Sequence, residues 1–249
     1  MEIAGKTVLV TGANRGLGAA IVKAFVEAGA ARVYAGMRTV ERVAAGSKVV
    51  PVALDVTNDE QIAAAARLAG DVDIVVNNAG YFAGQPLVGT SDARGAEAEM
   101  RVNYFGPLAV SRAFAPILVR NGGGAIINVL SILSRVSGPS VGSYAASKAA
   151  AYSLTQAMRG ELRANGTRVL GLMPGFIDTD MAASVKAPKL APSAVADAMI
   201  AALRDGTDDI YPGDAATVAA GLLTNPQAIE QHFATLFATR SATSTTRSA

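Results

Sequence analysis

A chain of 249 residues can bury a large single core, and 51% hydrophobic against 17% charged residues, with 25 glycines, argues against disorder and for close helix-on-sheet packing. With no cysteine and one histidine, His232, a disulfide framework, a thiol nucleophile and a Cys or His metal centre are excluded, and no resident metal is expected. The formal charge of +2 comes from scattered Lys and Arg, and no leader-like segment or run of about 20 apolar residues stands out, so neither nucleic acid nor membrane is expected as a partner and a cytoplasmic location is.

Residues 6–11 are β-branched and apolar, a buried strand that stops at Gly12. Leu17, Ile21, Phe25 and Val26 then recur at helical spacing, with Gly29 as the stop. Residues 32–35 and 48–54 read as the second and third strands, and residues 39–45 leave room for only a short helix between them. Asn58 caps a helix over 59–68, and residues 73–76 form a fourth strand ending in Asn77-Asn78-Ala79-Gly80. After a loop over 81–91 comes a long helix over 93–120, bent near Gly106-Pro107. A strand over 125–131, an Ala-rich helix over 143–165, a strand over 168–173 stopped by Pro174-Gly175 and a helix over 193–204 follow. A seventh strand at Ile210-Tyr211 and an amphipathic helix over 226–237 complete a single domain, residues 1–238, with a frayed Ser/Thr-rich tail over 239–249.

Short strands alternating with helices need crossover connections. The fold expected is α/β, a Rossmann-type doubly wound parallel sheet of about seven strands with helices on both faces. Ligands bind such sheets beyond the carboxyl ends of the strands, where Gly12, Gly80, Ser131 and Pro174-Gly175 all fall.

The stretch Gly12-Ala13-Asn14-Arg15-Gly16-Leu17-Gly18 joins the first strand to the first helix. Glycines there permit positive φ and close backbone approach, and the helix start offers unpaired N–H groups, so the loop suits a pyrophosphate. The position twenty beyond Gly18 is Arg38, and no acid occurs between Ala30 and Val40. A carboxylate there would grip the ribose 2′-hydroxyl of NAD, whereas Arg38 and Arg15 suit a 2′-phosphate, so the cofactor expected is NADP(H).

Tyr144 and Lys148 stand four apart on the Ala-rich helix, one turn from each other. An ammonium beside a phenol favours phenolate, which makes the pair an acid–base candidate, with Ser131 placed to hold a substrate oxygen. That spacing is weak evidence alone.

Thr11-Gly12-x-x-x-Gly16-x-Gly18, Asn77-Asn78-Ala79-Gly80, Asn103, Ser131, Tyr144-x-x-x-Lys148 and Pro174-Gly175, in this order, resemble the short-chain dehydrogenase/reductase family from about residue 6 to residue 179. The resemblance implies hydride transfer between a nicotinamide and a carbonyl or alcohol carbon, by a ketone or aldehyde reductase or secondary alcohol dehydrogenase. Tyr144 is its acid–base, Ser131 orients the carbonyl, Lys148 also holds the nicotinamide ribose, and Asn103 supports a water-mediated proton relay. Asp55 and Val56 would flank the adenine, Asn77, Ala79 and Gly80 line the cofactor, and Ile177 and Thr179 meet the carboxamide, next to Pro174 and Gly175.

Ile132, Leu133, Phe82, Phe176 and Met181 are the expected pocket walls. They are apolar, and only Arg135 stands near Ser131, so a small neutral or aromatic carbonyl or alcohol is the substrate class expected. Family members of this type imply a homo-oligomer, a dimer or tetramer. A non-catalytic NADP-sensing regulator on the same fold is the alternative; the joint presence of Ser131, Tyr144 and Lys148 counts against it.

Overall fold

The computed structural model describes residues 1–40, 48–89 and 92–242. Seven described strands form one sheet: β1 (Thr7–Thr11), β2 (Arg32–Met37), β3 (Val49–Ala53), β4 (Ile74–Asn77), β5 (Gly124–Val129), β6 (Thr167–Leu172) and β7 (Asp209–Ile210). Every pairing is parallel, in the order β3-β2-β1-β4-β5-β6-β7. The order reverses between β1 and β4, which opens a crevice at their carboxyl ends.

Alternation along the strands builds two cores. Val8, Val10, Ile74, Val76, Ile127 and Leu170 face α1 (Gly16–Glu27) and α6 (Pro192–Asp205). Leu9, Val75, Ile126 and Val169 face the opposite layer, which contains α2 (Asp59–Leu68) and α4 (Gly106–Arg120). In α2 the Asn58 carboxamide accepts from the Gln61 N–H at 3.0 Å, as its sequence position predicts.

The expected long helix is α3 (Arg94–Met100), a π turn (Arg101–Phe105) and α4 in unbroken succession. The irregularity thus precedes Gly106-Pro107. Pro107 has no N–H for the carbonyl four residues back, at Asn103, and the chain widens just where that bond is missing. Within the 27 residues Arg94–Arg120 an 18-residue window reaches a mean hydropathy of 1.2, which by length and composition alone would suffice to cross a membrane. Val110, Phe114, Ile117 and Leu118 instead bury one side of it beneath the sheet.

Downstream lie α5 (Gly142–Leu162), α7 (Ala215–Thr224) and α8 (Pro226–Ala242). The last helix runs beyond its expected end and takes in residues 239–242 of the expected tail. Most of the short helix expected over 39–45, and the tail from residue 243 onward, lie outside the described residues.

Candidate active site

The crevice is built from the ends of β1 and β4. The Thr11 hydroxyl accepts from the N–H groups of Asn78 and Ala79, both at 3.0 Å, and donates to the Val76 carbonyl at 3.4 Å. The Asn78 amide donates to the carbonyls of Thr11 at 2.9 Å and Gly12 at 3.0 Å. These bonds lock the glycine loop onto the Asn77–Gly80 segment.

Gly12 and Gly16 take φ of 65° and 54°. A Cβ on Gly12 would stand 2.9 Å from the Ala79 Cα, and one on Gly18 would overlap the Gly12 carbonyl oxygen. Asn14 is exposed and Leu17 buried. The cap position of α1 is Arg15, whose side chain makes no capping bond, and the first turn holds no acid. The first N–H groups of α1 therefore have no side-chain acceptor, and the cradle fits a phosphate anion.

Arg15 is not turned toward Arg38. Its guanidinium pairs with Asp180 at 2.7 Å, while Arg38 is exposed beyond β2. The Gly16 side of the loop also meets Thr179, whose Cγ2 lies 3.2 Å from a Cβ built on Gly16. Ile177 bridges to Leu190, and the Pro174 carbonyl accepts from the Ile132 N–H at 2.9 Å. A Cβ on Gly175 would meet nothing within 4 Å. Asp55 closes a tight turn, its carboxylate accepting from the N–H and hydroxyl of Thr57 at 2.9 and 2.7 Å. Val56 is buried against Gly106.

The Asn77 side chain does not line the crevice as the resemblance implies. Its amide donates to Ser111 at 3.1 Å and to Asn128 at 2.8 Å, and Asn128 donates to Thr155 at 2.8 Å. This buried chain ties β4 to α4, β5 and α5, with the Asn77 side-chain oxygen left without a protein partner.

Ser131 follows β5 and opens a 3-10 turn (Ile132–Ser134), where its hydroxyl oxygen accepts from the Leu133 N–H at 3.1 Å. It also acts on the Tyr144 phenol, favouring the ionised form. Lys148 is buried, with its ammonium 5.8 Å from the Tyr144 ring centre and donating to the Val129 carbonyl at 2.8 Å. Asn103 sits buried on the π turn. Its carboxamide oxygen accepts from the Tyr81 N–H at 2.9 Å, and its amide donates at 2.9 Å to both the Tyr81 carbonyl and the Ser147 hydroxyl. A Cβ on Gly80 would lie 3.5 Å from the Asn103 oxygen and 3.8 Å from the Lys148 nitrogen, so both polar atoms border the space that glycine leaves.

The electrostatics correct one expectation. Burial pushes the Tyr144 phenol well above the usual tyrosine range and the Glu99 carboxylate adds to this; the Ser131 hydroxyl works the other way. Burial also draws the Lys148 ammonium down to about 8. Lys148 therefore does not lower the phenol in this structure, because desolvation outweighs an ammonium already bonded to a carbonyl.

Ile132 and Leu133 form an apolar cluster with Val141, Ala145, Ala215, Phe233 and Phe237, and Phe82, Tyr144 and Phe176 pack on it. Met181 is 50% exposed and outside that cluster. Arg135 donates to the Tyr211 hydroxyl at 2.6 Å and stands over the Tyr152 ring at 5.3 Å.

The sequence profile described as short chain dehydrogenase matches residues 6–190. The chain belongs to the short-chain dehydrogenase family. It is 36% identical over 203 residues to 1-deoxy-11-beta-hydroxypentalenate dehydrogenase of Streptomyces exfoliatus, covering 76% of this chain and 74% of that protein. With the L-fucose dehydrogenase of Mus musculus it shares 35% identity over 196 residues, 74% and 71% of the two chains. A short chain dehydrogenase from Burkholderia cenocepacia J2315, solved in complex with NADP, superposes with a TM-score of 0.89 at 48% identity, over 94% of this chain and 99% of that one. A family member from Burkholderia phymatum, solved with NAD, gives 0.79 at 26% identity over 93% and 96%.

Three residues to which the sequence assigns no role of their own prove structural to the site: Thr11 and Asn78 at the glycine loop, and Ser147, which donates to the Tyr144 carbonyl at 2.7 Å. Thr11 and Asn78 lie inside recognisable motifs, so their position was the available signal. Ser147 gave none beyond its place one turn after Tyr144.

Proposed function

We propose that the chain is an NADP(H)-dependent carbonyl reductase, or secondary alcohol dehydrogenase, with Tyr144 as the acid–base. One observation carries the reading: buried Lys148, its ammonium 5.8 Å from the Tyr144 ring centre, borders the space beside Gly80, in the segment bonded to the glycine cradle. The cofactor, when bound, supplies or accepts a hydride at the substrate carbon.

In the reducing direction the Ser131 hydroxyl holds the substrate oxygen and Tyr144 delivers its proton there as negative charge grows. Lys148 keeps a positive charge close to the phenol, which stabilises the phenolate left once the proton has been given up. The gap beside Gly80, bordered by the Asn103 oxygen and the Lys148 ammonium, is suited to a water that would return a proton to the Tyr144 phenolate after each turnover. Lys148 is also the residue for the nicotinamide ribose, and Thr179 and Ile177 belong to the segment that meets the glycine loop.

The absence of any acid over residues 30–40 and the exposed Arg38 support NADP(H) over NAD(H). The NADP complex of the Burkholderia cenocepacia relative agrees with that preference. A neutral or aromatic substrate is supported by the apolar cluster under Ser131 and by Arg135, whose guanidinium is committed to Tyr211 and Tyr152. The test is NADPH consumption against a panel of neutral ketones and aldehydes, repeated with NADH. Turnover with NADPH and a higher kcat/KM than with NADH is the expected result; no turnover with any carbonyl overturns the reading.

A further inference from the structure

Arg135 closes the 3-10 turn that Ser131 opens. The turn is stiffened by its own bonds: the Ser134 N–H and hydroxyl both donate to the Ser131 carbonyl, at 2.9 and 2.7 Å, and the Arg135 N–H donates to the Ile132 carbonyl at 2.9 Å. Its leading side is fixed to the segment after β6, where the Pro174 carbonyl takes the Ile132 N–H. Its trailing side is held through the Arg135 side chain. The half-buried guanidinium donates to the hydroxyl of Tyr211, the residue after β7, at 2.6 Å and stands 5.3 Å from the centre of the Tyr152 ring on α5.

Both rings are themselves fixed. The Tyr152 hydroxyl donates to one carboxylate oxygen of Asp209 at 2.8 Å, while Arg159 donates to the other at 2.7 Å. Tyr211 packs on the apolar wall with Ile132 and Leu133 and also on the cluster of Leu130, Ala151 and Met173. We propose that Arg135 is a positioning residue for the reaction: clasped between Tyr152 and Tyr211, it sets the Ser131 turn against α5, and so the Ser131 hydroxyl against Tyr144 and Lys148. This rests on the reading of Ser131 as the group that holds the substrate oxygen.

The geometry gives the clasp its leverage. Tyr144, Lys148 and Tyr152 follow one another at four-residue steps along α5, so the ring beneath Arg135 lies one turn beyond Lys148 on the same side of the helix. A guanidinium is planar and can stack on one ring while donating to another, a fixed arrangement that a flexible ammonium does not reproduce. Serine is a short side chain, so the backbone of its turn decides where the hydroxyl can reach. A donor aimed at developing charge must meet an oxygen whose place is already set by the acid and the hydride donor, and an error of about 1 Å costs up to about 100-fold in rate.

The test uses Tyr211→Phe, which keeps the ring and removes the acceptor, and Arg135→Met, which keeps an apolar stem and removes the guanidinium. Each is made in wild type and in Ser131→Ala, and kcat and KM are measured with NADPH and the neutral ketone that wild type reduces best. The expected result is a kcat lowered about tenfold in either single variant with KM little changed. Ser131→Ala should lose about 100-fold, and adding Arg135→Met to it should cost no more than about twofold further, because the residue acts through Ser131. Unchanged kcat in the single variants, or equal losses in both backgrounds, overturns the proposal. So does a raised KM at unchanged kcat, the mark of a guanidinium that binds substrate itself. Amide exchange at Leu133, whose N–H is bonded to the Ser131 hydroxyl, reads the turn without turnover. It should quicken in both single variants relative to the amides of β1, and unchanged exchange overturns the clasp. Quickened exchange in a protein that reduces no carbonyl supports the clasp and overturns the assigned reaction instead.

Discussion

The Lys148 ammonium donates to the Val129 carbonyl at 2.8 Å, a bond that tethers a buried charge on α5 to the last residue of β5. Burial holds this ammonium down to about 8, against 10.5 for an ordinary lysine. Below the lower value, folded and unfolded chains both carry the proton and folding bears the cost of burying it. As pH rises above about 8 the folded state releases that proton while the unfolded chain keeps it, so stability of the cofactor-free protein should rise. Tyr144 opposes this only above about 10, where an unfolded tyrosine ionises first. Urea unfolding at pH values spanning this window should show the rise in wild type and a flattened slope in Lys148→Met.

Tyr144→Phe keeps the ring and its edge contact with Phe82 and removes only the hydroxyl. Turnover should fall by at least about 100-fold, within the range for loss of a general acid. NADPH should bind as in wild type, read by quenching or enhancement of its fluorescence. Near-normal activity would remove Tyr144 from the chemistry.

Gly80→Ala adds a methyl at ordinary contact distance, 3.5 Å from the Asn103 oxygen and 3.8 Å from the Lys148 nitrogen. The fold should tolerate it. The space between those two atoms would be filled, and turnover should fall by roughly 10- to 100-fold with cofactor affinity little altered, if proton passage uses that space. Stopped-flow measurement of proton release against hydride transfer separates the two steps.

Asn78→Ala deletes two bonds to the glycine loop, at 2.9 and 3.0 Å. Each is worth about 1 kcal/mol net, so the melting temperature should fall by several degrees and NADPH affinity by about tenfold as the loop loses its fixed shape. Asn77→Ala should cost stability more than affinity, because its partners are Ser111 and Asn128 in the core.

Arg38→Ala should weaken NADPH far more than NADH. Arg15→Ala should have the smaller effect on that ratio, because Arg15 must first leave Asp180. The Arg15–Asp180 pair is largely exposed, so Asp180→Asn should leave thermal stability unchanged and tighten NADPH binding. Parallel titrations of both cofactors check these orderings.

Much of the scaffold was legible because its signals are local. The β-branched run before Gly12, the Asn58 cap and the four-residue step from Tyr144 to Lys148 each depend on neighbours in sequence. The π turn was not, because a widened turn keeps the apolar periodicity of an α-helix and shows only where Pro107 withholds a donor. Asn77 and Asn78 are adjacent and alike; only the sheet decides that one turns into the core and the other onto the glycine loop. Glu99 reads as one more charge on an exposed helix until the crossing of residues 81–83 buries it. Likewise, nothing in the spacing of Arg15 announces Asp180, which approaches from far along the chain.

Gly138 lies so close to α8 that a Cβ there would stand 2.8 Å from the Phe237 ring, and Phe237 in turn packs beside Phe176. Phe233, Phe237 and Ala215 back the apolar wall under Ser131, yet all three fall beyond the residues 6–190 that match the family. Substitutions at Ala215, Phe233 or Phe237 would therefore reshape the support behind Ile132, Leu133 and Phe176 from outside the matched stretch, leaving Tyr144, Lys148 and the glycine cradle unaltered.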